Sequence, residues 1–485
     1  MKQLEEQNRI MMAYIEAEKK AKEDREKAAD EMYTVGSALN LEAVWNHGFW
    51  IQSPNKVFTL HIAGRLQNDT VFWNPSPALR FPATPVVVPG TGLGQGVQPL
   101  DDGSYFRRIR LETLGVLYEL VEFHQEIDFE AGPDAPLFDH LYVGFRDLPY
   151  VGTVRFGQQK VPQGLESMSS SKLLPDLERS LTFESFLMEF AIGTLFANTY
   201  LNERGTWQIF LHRNSQFSDN FGSDFGDGIY VYTGRITGLP IYADGGRHLL
   251  HLGGSYQYRV GQNLRTVKQQ IPLTNNPNVL VSPDAKFVRY RTRAEIRDSG
   301  ETLGDSTRLV DTGFILADGA STLGAELLWI AGPLSIQSEC LLSQVVNAQF
   351  PASFPSAPPA GDPFFWGGYV LISYFLTGEN RGYDRRFGLY ERPFPSENFF
   401  LVRNRNGGRC LGRGAWELTY RYSYVDLNDT GIDGGQMIGN TLGLNWYFNA
   451  NFKVQLNLLN TSRNVVDPAN SGTVNAAGIR FHVDW

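Results

Sequence analysis

The chain has 485 residues, 43 Lys+Arg against 52 Asp+Glu, and a net charge of -9. With 20% charged and 42% hydrophobic residues it is no disordered chain, and its acidic balance argues against general nucleic-acid binding. No apolar run reaches the roughly 18 residues of a helical membrane span, and two cysteines, Cys340 and Cys410, give neither a disulfide scaffold nor a metal-site spacing.

Residues 1–32 read as a helical arm. They contain neither Pro nor Gly, and Ala, Glu and Lys dominate. A heptad places Met1, Asn8, Ile15, Lys22 and Ala29 at a, and Leu4, Met11, Glu18, Arg25 and Met32 at d. Only its first half is apolar, so a solvated helix and a short oligomeric coiled coil both stay open. The arm lacks the apolar core of a secretory signal. Residues 33–57 read as a linker.

From Phe58 onward the hydrophobic period becomes two. Phe58, Leu60, Ile62 and Leu66 share one face, with Thr59, His61, Arg65 and Gln67 on the other. Val121, Phe123, Ile127 and Phe129 oppose Glu122, His124, Glu126 and Asp128. Leu250, Leu252, Tyr256 and Tyr258 oppose His251, Ser255, Gln257 and Arg259. Trp416, Leu418, Tyr420 and Tyr422 oppose Glu417, Thr419, Arg421 and Ser423. Turn clusters such as Asp244-Gly245-Gly246 and Asn449-Ala450-Asn451 separate such runs, and longer Gly/Pro-rich loops occur at 74–103 and 351–363.

Serial β-sandwiches or one membrane barrel could produce this pattern. The barrel is favoured by runs of about ten residues, the span of a tilted strand across a bilayer. Long and short connections alternate, and Tyr and Trp crowd the apolar face near strand ends. At the C-terminus Ile479, Phe481, Val483 and Trp485 alternate with Arg480, His482 and Asp484. A strand ending on an aromatic suits barrel closure, since an unpaired edge cannot stand in lipid.

Several segments, in order along the chain, resemble the phosphate-selective porin family, the O and P porins. They are Tyr105-Phe-Arg-Arg-Ile-Arg-Leu111, Val154-Arg-Phe-Gly-Gln-Gln-Lys-Val-Pro162, Thr233-Gly-Arg-Ile-Thr-Gly-Leu-Pro240, Gly368 to Arg381, Gly414 to Tyr422 and Leu442 to Asn449. The resemblance implies an all-β transmembrane barrel of about 16 antiparallel strands over residues 58–485, assembled as a trimer in the outer membrane. It implies export, so that the chain begins downstream of a removed signal. It also implies contact with lipid and lipopolysaccharide, and by analogy a periplasmic stalk at 1–32 that could reach the cell wall.

Pores select ions by the charges that line them. In Phe287 to Arg297, the side chains of Arg289, Arg291, Arg293 and Arg297 fall on one strand face with Glu295 among them. They are expected to face a water-filled lumen, with Tyr290 and Ile296 facing lipid or a neighbouring subunit. Arginine suits an anion ladder because it stays charged and presents forked donors. Arg107, Arg108 and Arg110 resemble the other part of the family's ladder. Arg107 and Arg108 have opposite parity, so a bulge or the strand end must intervene, or one of them faces the subunit interface.

The family's constriction loop falls at about 161–190. Its serine pair and downstream arginine correspond in spacing to Ser170, Ser171 and Arg179, and Lys172 adds charge. Ser167 stands where the family has a lysine, and Asp176 and Glu178 lie close by. No Gly-x-Ser-x-Gly elbow is present, so catalysis is not expected, and no pattern calls for a cofactor or a metal. The expected function is passive diffusion of small anions, phosphate first. The alternatives are a weakly selective porin of mixed lumen charge and a structural barrel anchoring a tether.

Overall fold

The computed structural model describes residues 16, 18–20, 23, 40–46, 48–80, 100–130, 137–214, 229–263, 286–297, 308–349, 361–403 and 407–485. The helical arm and its heptad therefore lie almost wholly outside the described residues.

Sixteen strands close into one antiparallel barrel. They are β1 (Thr59–Pro75), β2 (Gly103–Leu117), β3 (Val121–Asp128), β4 (Leu137–Leu148), β5 (Gly152–Lys160), β6 (Phe190–Tyr200), β7 (Gly205–Arg213) and β8 (Tyr230–Ala243). The second half comprises β9 (His248–Val260), β10 (Gly319–Ala331), β11 (Leu334–Val346), β12 (Phe364–Phe375), β13 (Ala415–Asp429), β14 (Ile432–Tyr447), β15 (Phe452–Asn464) and β16 (Gly472–Asp484).

The period-two pattern becomes an inside and an outside. On β13, Leu418, Tyr420 and Tyr422 are 42–44% exposed, whereas Glu417, Thr419, Arg421 and Ser423 are at most 1% exposed. Apolar side chains thus point outward and polar ones inward, the arrangement of a barrel in lipid. No helix among the described residues is long and apolar enough to cross a membrane.

Closure uses the C-terminal motif. β16 pairs with β1 from Val474 opposite Pro75 to Asp484 opposite Arg65. Gly64 and Trp485 then exchange backbone hydrogen bonds of 3.0 and 3.1 Å. A Cβ at Gly64 would lie 2.4 Å from the Trp485 ring, so the terminal aromatic can sit there only against glycine. Where β16 ends, the short strands Glu42–Trp45 and Phe49–Gln52 continue the sheet, Phe49 lying opposite Ile62 on β1. This hairpin falls inside the span read as a linker.

One end of the barrel, the turn end, carries short connections at 118–120, 149–151, 201–204, 244–247, 332–333 and 448–451. Most connections at the other end, the loop end, are longer. The expected alternation breaks at two successive connections: residues 376–414 between β12 and β13 are long at the turn end, and residues 430–431 between β13 and β14 are short at the loop end.

Among the described residues, three stretches of connecting chain enter the barrel: 161–189 from β5 to β6, 286–297 with 308–318 from β9 to β10, and 381–390 within the connection from β12 to β13. The main hydrophobic core lies inside the barrel, where Leu177, Leu181, Phe186, Val288, Tyr290 and Ile296 meet inward side chains such as Ala320, Leu341, Phe365, Val425, Met437 and Val474. It fills the loop end beside β10–β16.

Candidate functional site

Residues 161–189 are held by the opposite wall. The side-chain carbonyl of Asn457 accepts from the Leu177 amide at 2.6 Å, and Asn445 donates to the Pro175 carbonyl at 2.7 Å. Lys453 donates to the Leu174 carbonyl at 3.0 Å. Two short helices form within the segment, α1 (Leu165–Met168) and α2 (Leu181–Phe186). Ser180 caps α2, its hydroxyl accepting from the Phe183 amide, while it donates to Glu166 at 2.7 Å. Arg421 on β13 reaches Glu166 at 3.4 Å, Asp176 at 3.3 Å and Glu295 at 2.8 Å, so one wall guanidinium binds both loop-end inward segments.

Two cavities flank the segment. The larger, about 660 Å³, lies along β1–β7 toward the turn end and includes Ser170 and Ser171 in its lining. The smaller, about 40 Å³, is lined by Arg107, Arg108, Glu178, Arg179, Ser180, Phe183, Glu184, Glu189, Thr292, Arg293, Ala294 and Arg297. Glu189 borders both. The expected cluster of serines and Arg179 is therefore divided between two spaces. Ser171 accepts from Arg65, and Lys172 is paired with Glu112. Arg179 donates to the carbonyls of Glu166 (3.0 Å) and Ser169 (3.1 Å) and to Glu189 (2.8 Å), with Phe183 beneath its guanidinium at 4.6 Å. Its carboxylate partner is Glu189, whereas Asp176 is engaged by Thr419 and Arg421.

Five guanidiniums and three carboxylates line the smaller cavity. Arg107 and Arg108 both reach it because the pairing with β1 slips there: Gln67 lies opposite Arg108 and Asn68 opposite Phe106, leaving Arg107 as the extra residue of a bulge. The parity conflict in the sequence is resolved by this bulge. Glu178 accepts from Arg107 in a fork at 2.8 and 3.1 Å, from Arg480 at 2.9 Å, and lies 3.6 Å from Arg108 and 4.0 Å from Arg297. Glu184 pairs with Arg293 at 2.7 Å and with Arg308. Burial pushes the Glu184 carboxyl up, but Arg293 and Arg308 outweigh it and hold it well below the usual carboxylate range. The same opposition, with Arg107 and Arg108 foremost, holds Glu178 down.

The expected ladder strand is corrected by this geometry. Residues 286–297 do not belong to the barrel wall; they run inside it, with only Lys286–Val288 and Arg291–Thr292 in short pairings. Tyr290 and Ile296 do not face lipid: they are 0% and 1% exposed in the interior core. Tyr290 packs between Phe186 and Phe365, with ring centroids at 5.6 and 5.0 Å. Alternation arose because one side of this inward segment faces charged groups and the other an apolar core, the same contrast that lumen and lipid impose on a wall strand. Of the four arginines, Arg293 and Arg297 border the smaller cavity. Arg289 is bound to Asp311 at 2.8 and 3.0 Å and lies over Phe314, and Arg291 pairs in register with Asp311; neither lines either cavity.

The larger cavity is balanced. Lys56, Arg65, Arg110, Arg146, Arg155, Lys160 and Arg386 face Glu112, Glu119, Glu122, Glu126, Glu189, Asp384 and Glu391 around it. Many are paired: Arg155 with Glu122 at 2.6 Å, Arg110 with Asp128 at 2.6 Å, Arg65 with Glu126. His124 stacks on His140 with centroids 4.4 Å apart and contacts Glu112 at 3.0 Å.

A closed barrel with charged side chains around interior cavities has the architecture of a diffusion channel. The family model described as phosphate-selective porin O and P matches residues 94–485. The chain belongs to this family. A Caulobacter vibrioides protein described as uncharacterized is 27% identical over 396 residues, covering 79% of this chain and 68% of its own. The anion-selective porin from Comamonas acidovorans has a TM-score of 0.46 at 12% identity, covering 88% of this chain and 99% of that one. The outer membrane channel DcaP of Acinetobacter baumannii has a TM-score of 0.46 at 10% identity, covering 90% and 99% respectively.

In this porin the outer membrane is the solvent for the strands, and the inward charges are shielded from it. Sequence reading missed Glu184 and Glu189, which sit on a short helix and at a loop end where no periodicity marks them. It also missed the clamping roles of Arg65, Arg421 and Arg480. Their inward parity was readable, but their partners in the inserted segment were not: Ser171 for Arg65, Glu166 and Asp176 for Arg421, and Glu178 for Arg480.

Proposed function

We propose that this porin passes small anions by passive diffusion, inorganic phosphate first among them. The observation that carries the reading is the excess of guanidiniums around the smaller cavity, five against three carboxylates. Arginine keeps its charge and presents paired donors to phosphate oxygens, and a confined space strengthens its field. Ser170, Ser171 and Lys172 would meet the ion on the other side of the same segment, supplying hydroxyl donors and further charge. Arg107, Arg108, Arg293 and Arg297 act as the ladder in this reading, with Arg179 shaping the segment between the two spaces. The protein works as a homo-oligomer, a trimer by family resemblance, with the turn end and residues 1–32 on the periplasmic side.

A second reading, a weakly selective porin, is favoured by the larger cavity, where seven cationic groups meet seven carboxylates. Reversal potentials across a planar bilayer in a potassium chloride gradient separate the two. The anion reading expects a clear chloride preference, with phosphate reducing chloride current. A reversal potential at zero or of cationic sign overturns it and leaves the weakly selective porin.

A further inference from the structure

The connection between β12 and β13 has no counterpart among the short turns that share its end of the barrel. Its chain runs into the lumen. Tyr390 is 1% exposed, packed with Leu239, Leu249, Leu328 and Ile330 on the inner wall. Tyr383 meets His251 at 2.6 Å, and Arg381 pairs with Glu417. At its tip, Arg235 of β8 donates to the carbonyls of Gly388 at 3.0 Å and Phe387 at 3.4 Å. Gly388 has φ +65°, and a Cβ there would lie 2.8 Å from the Thr237 hydroxyl. The tip is thus pressed against the wall at a point only glycine accommodates without strain. From the tip, Arg386 reaches across to Asp147 on β4 at 2.9 Å.

Two spaces meet there. The 660 Å³ cavity lies inward of the tip, and a second cavity of about 400 Å³ lies toward the turns of β4–β7. Thr153, Gln208, Arg386 and Phe387 line both. The Phe387 ring lies 5.6 Å from the Arg155 guanidinium and 5.9 Å from that of Arg386, each over its face, so an aromatic ring and two guanidiniums stand together at the boundary. A solute moving between these cavities passes this pair. Carboxylates stand on both sides of the boundary, Asp147 and Glu203 at the outer cavity and Asp384 and Glu122 at the inner one, Glu122 holding Arg155 at 2.6 Å, while Arg385 lies over Tyr242 beside the tip.

We propose that Arg386 and Phe387 form a second filter at the turn end, in series with the guanidinium-rich cavity around Glu178. Phe387 limits the size of the anion that passes, and Arg386 favours negative charge. The inference rests on reading the barrel interior as a solute path.

The test uses the full-length protein in planar bilayers, with potassium chloride and potassium gluconate as probes and heat-modifiable gel migration as the check on folding. Phe387→Ala should raise conductance and the gluconate-to-chloride permeability ratio, and Phe387→Trp should lower both. Arg386→Gln should lower the anion-over-cation ratio about tenfold, because one unit charge at ~6 Å through water favours the anion and disfavours the cation by about threefold each. Arg386→Lys should restore it. Folded Phe387 variants with wild-type conductance and gluconate exclusion, together with an Arg386→Gln channel of unchanged selectivity, overturn the second filter while the porin reading stands. A wild-type barrel that inserts without conducting overturns both.

Discussion

The two halves of the barrel interior use the same strand geometry for opposite ends. Beside β1–β7 the inner face is charged and aromatic, and a cavity of about 660 Å³ remains. Beside β10–β16, at the loop end, inward positions such as Ala320, Leu341, Phe365, Val425 and Met437 are apolar and take up Tyr290, Ile296 and Leu177. An inward-facing position is therefore not by itself a pore-lining one. Apolar inner walls recruit inserted segments because burial of that surface is favourable. On the packed side the charges are tied: Arg421 to three carboxylates, Arg480 to Asp69 at 2.6 Å. The packed half positions the inserted segments, and the open half leaves room for the solute.

The largest effect should come from breaking the packed half. Tyr290→Ala removes a ring that packs on Phe186 and Phe365 and a hydroxyl 2.9 Å from Ser343. A loss of about 3–5 kcal/mol is expected for a buried aromatic cut to alanine. Hydrogen exchange across 286–297 should accelerate and single-channel conductance should rise as the segment loosens. Unchanged exchange and conductance would mean that the apolar half does not hold the segment.

A smaller effect should follow from unbalancing the charges where the halves meet. Glu178→Gln leaves Arg107, Arg108 and Arg480 without their shared carboxylate. The anion-over-cation permeability ratio should rise about a hundredfold, about tenfold for each ion, taking one charge at ~6 Å and an effective dielectric of ~40. A ratio that stays level or falls would show that these guanidiniums do not act on the permeating ion.

The smallest effect concerns pH. Glu184 titrates below the usual carboxylate range in the folded protein, so its ties to Arg293 and Arg308 contribute fully above its unfolded value of about 4.3. The contribution is lost only as pH falls through the lower folded value. Selectivity should thus be level between pH 5 and 8 as far as this group is concerned, and drift in stronger acid. In a Glu184→Gln channel the acid drift should be smaller; an equal drift would assign it elsewhere.

Much of the wall was legible in the sequence because period-two alternation follows directly from the pleat. The faces read for Trp416 to Ser423 and for Ile479 to Trp485 are the faces found, and of the alternatives left open for Arg107 and Arg108 the bulge is the one present. The candidate site was legible in composition but not in placement. Arg293 and Arg297 do meet Arg107 and Arg108, yet from an inserted segment, while Arg289 turns to Asp311. Alternation reports that two sides of a strand see different surroundings. It does not say whether the apolar side meets lipid or another piece of protein, and Tyr290 shows the second case.

By itself, the sequence determined the strands and the inward parity of their polar residues, which follow from local repeat, and its ordered family segments with the closing aromatic strand pointed to the barrel over a sandwich. Only the tertiary structure decided which arginines face a cavity, which carboxylates neutralise them, and that residues 381–390 return into the lumen. Those outcomes depend on contacts between segments hundreds of residues apart, such as Arg480 with Glu178 and Arg421 with Glu166. A pairing of that kind is set by where the barrel brings two distant segments together, and no local pattern encodes it.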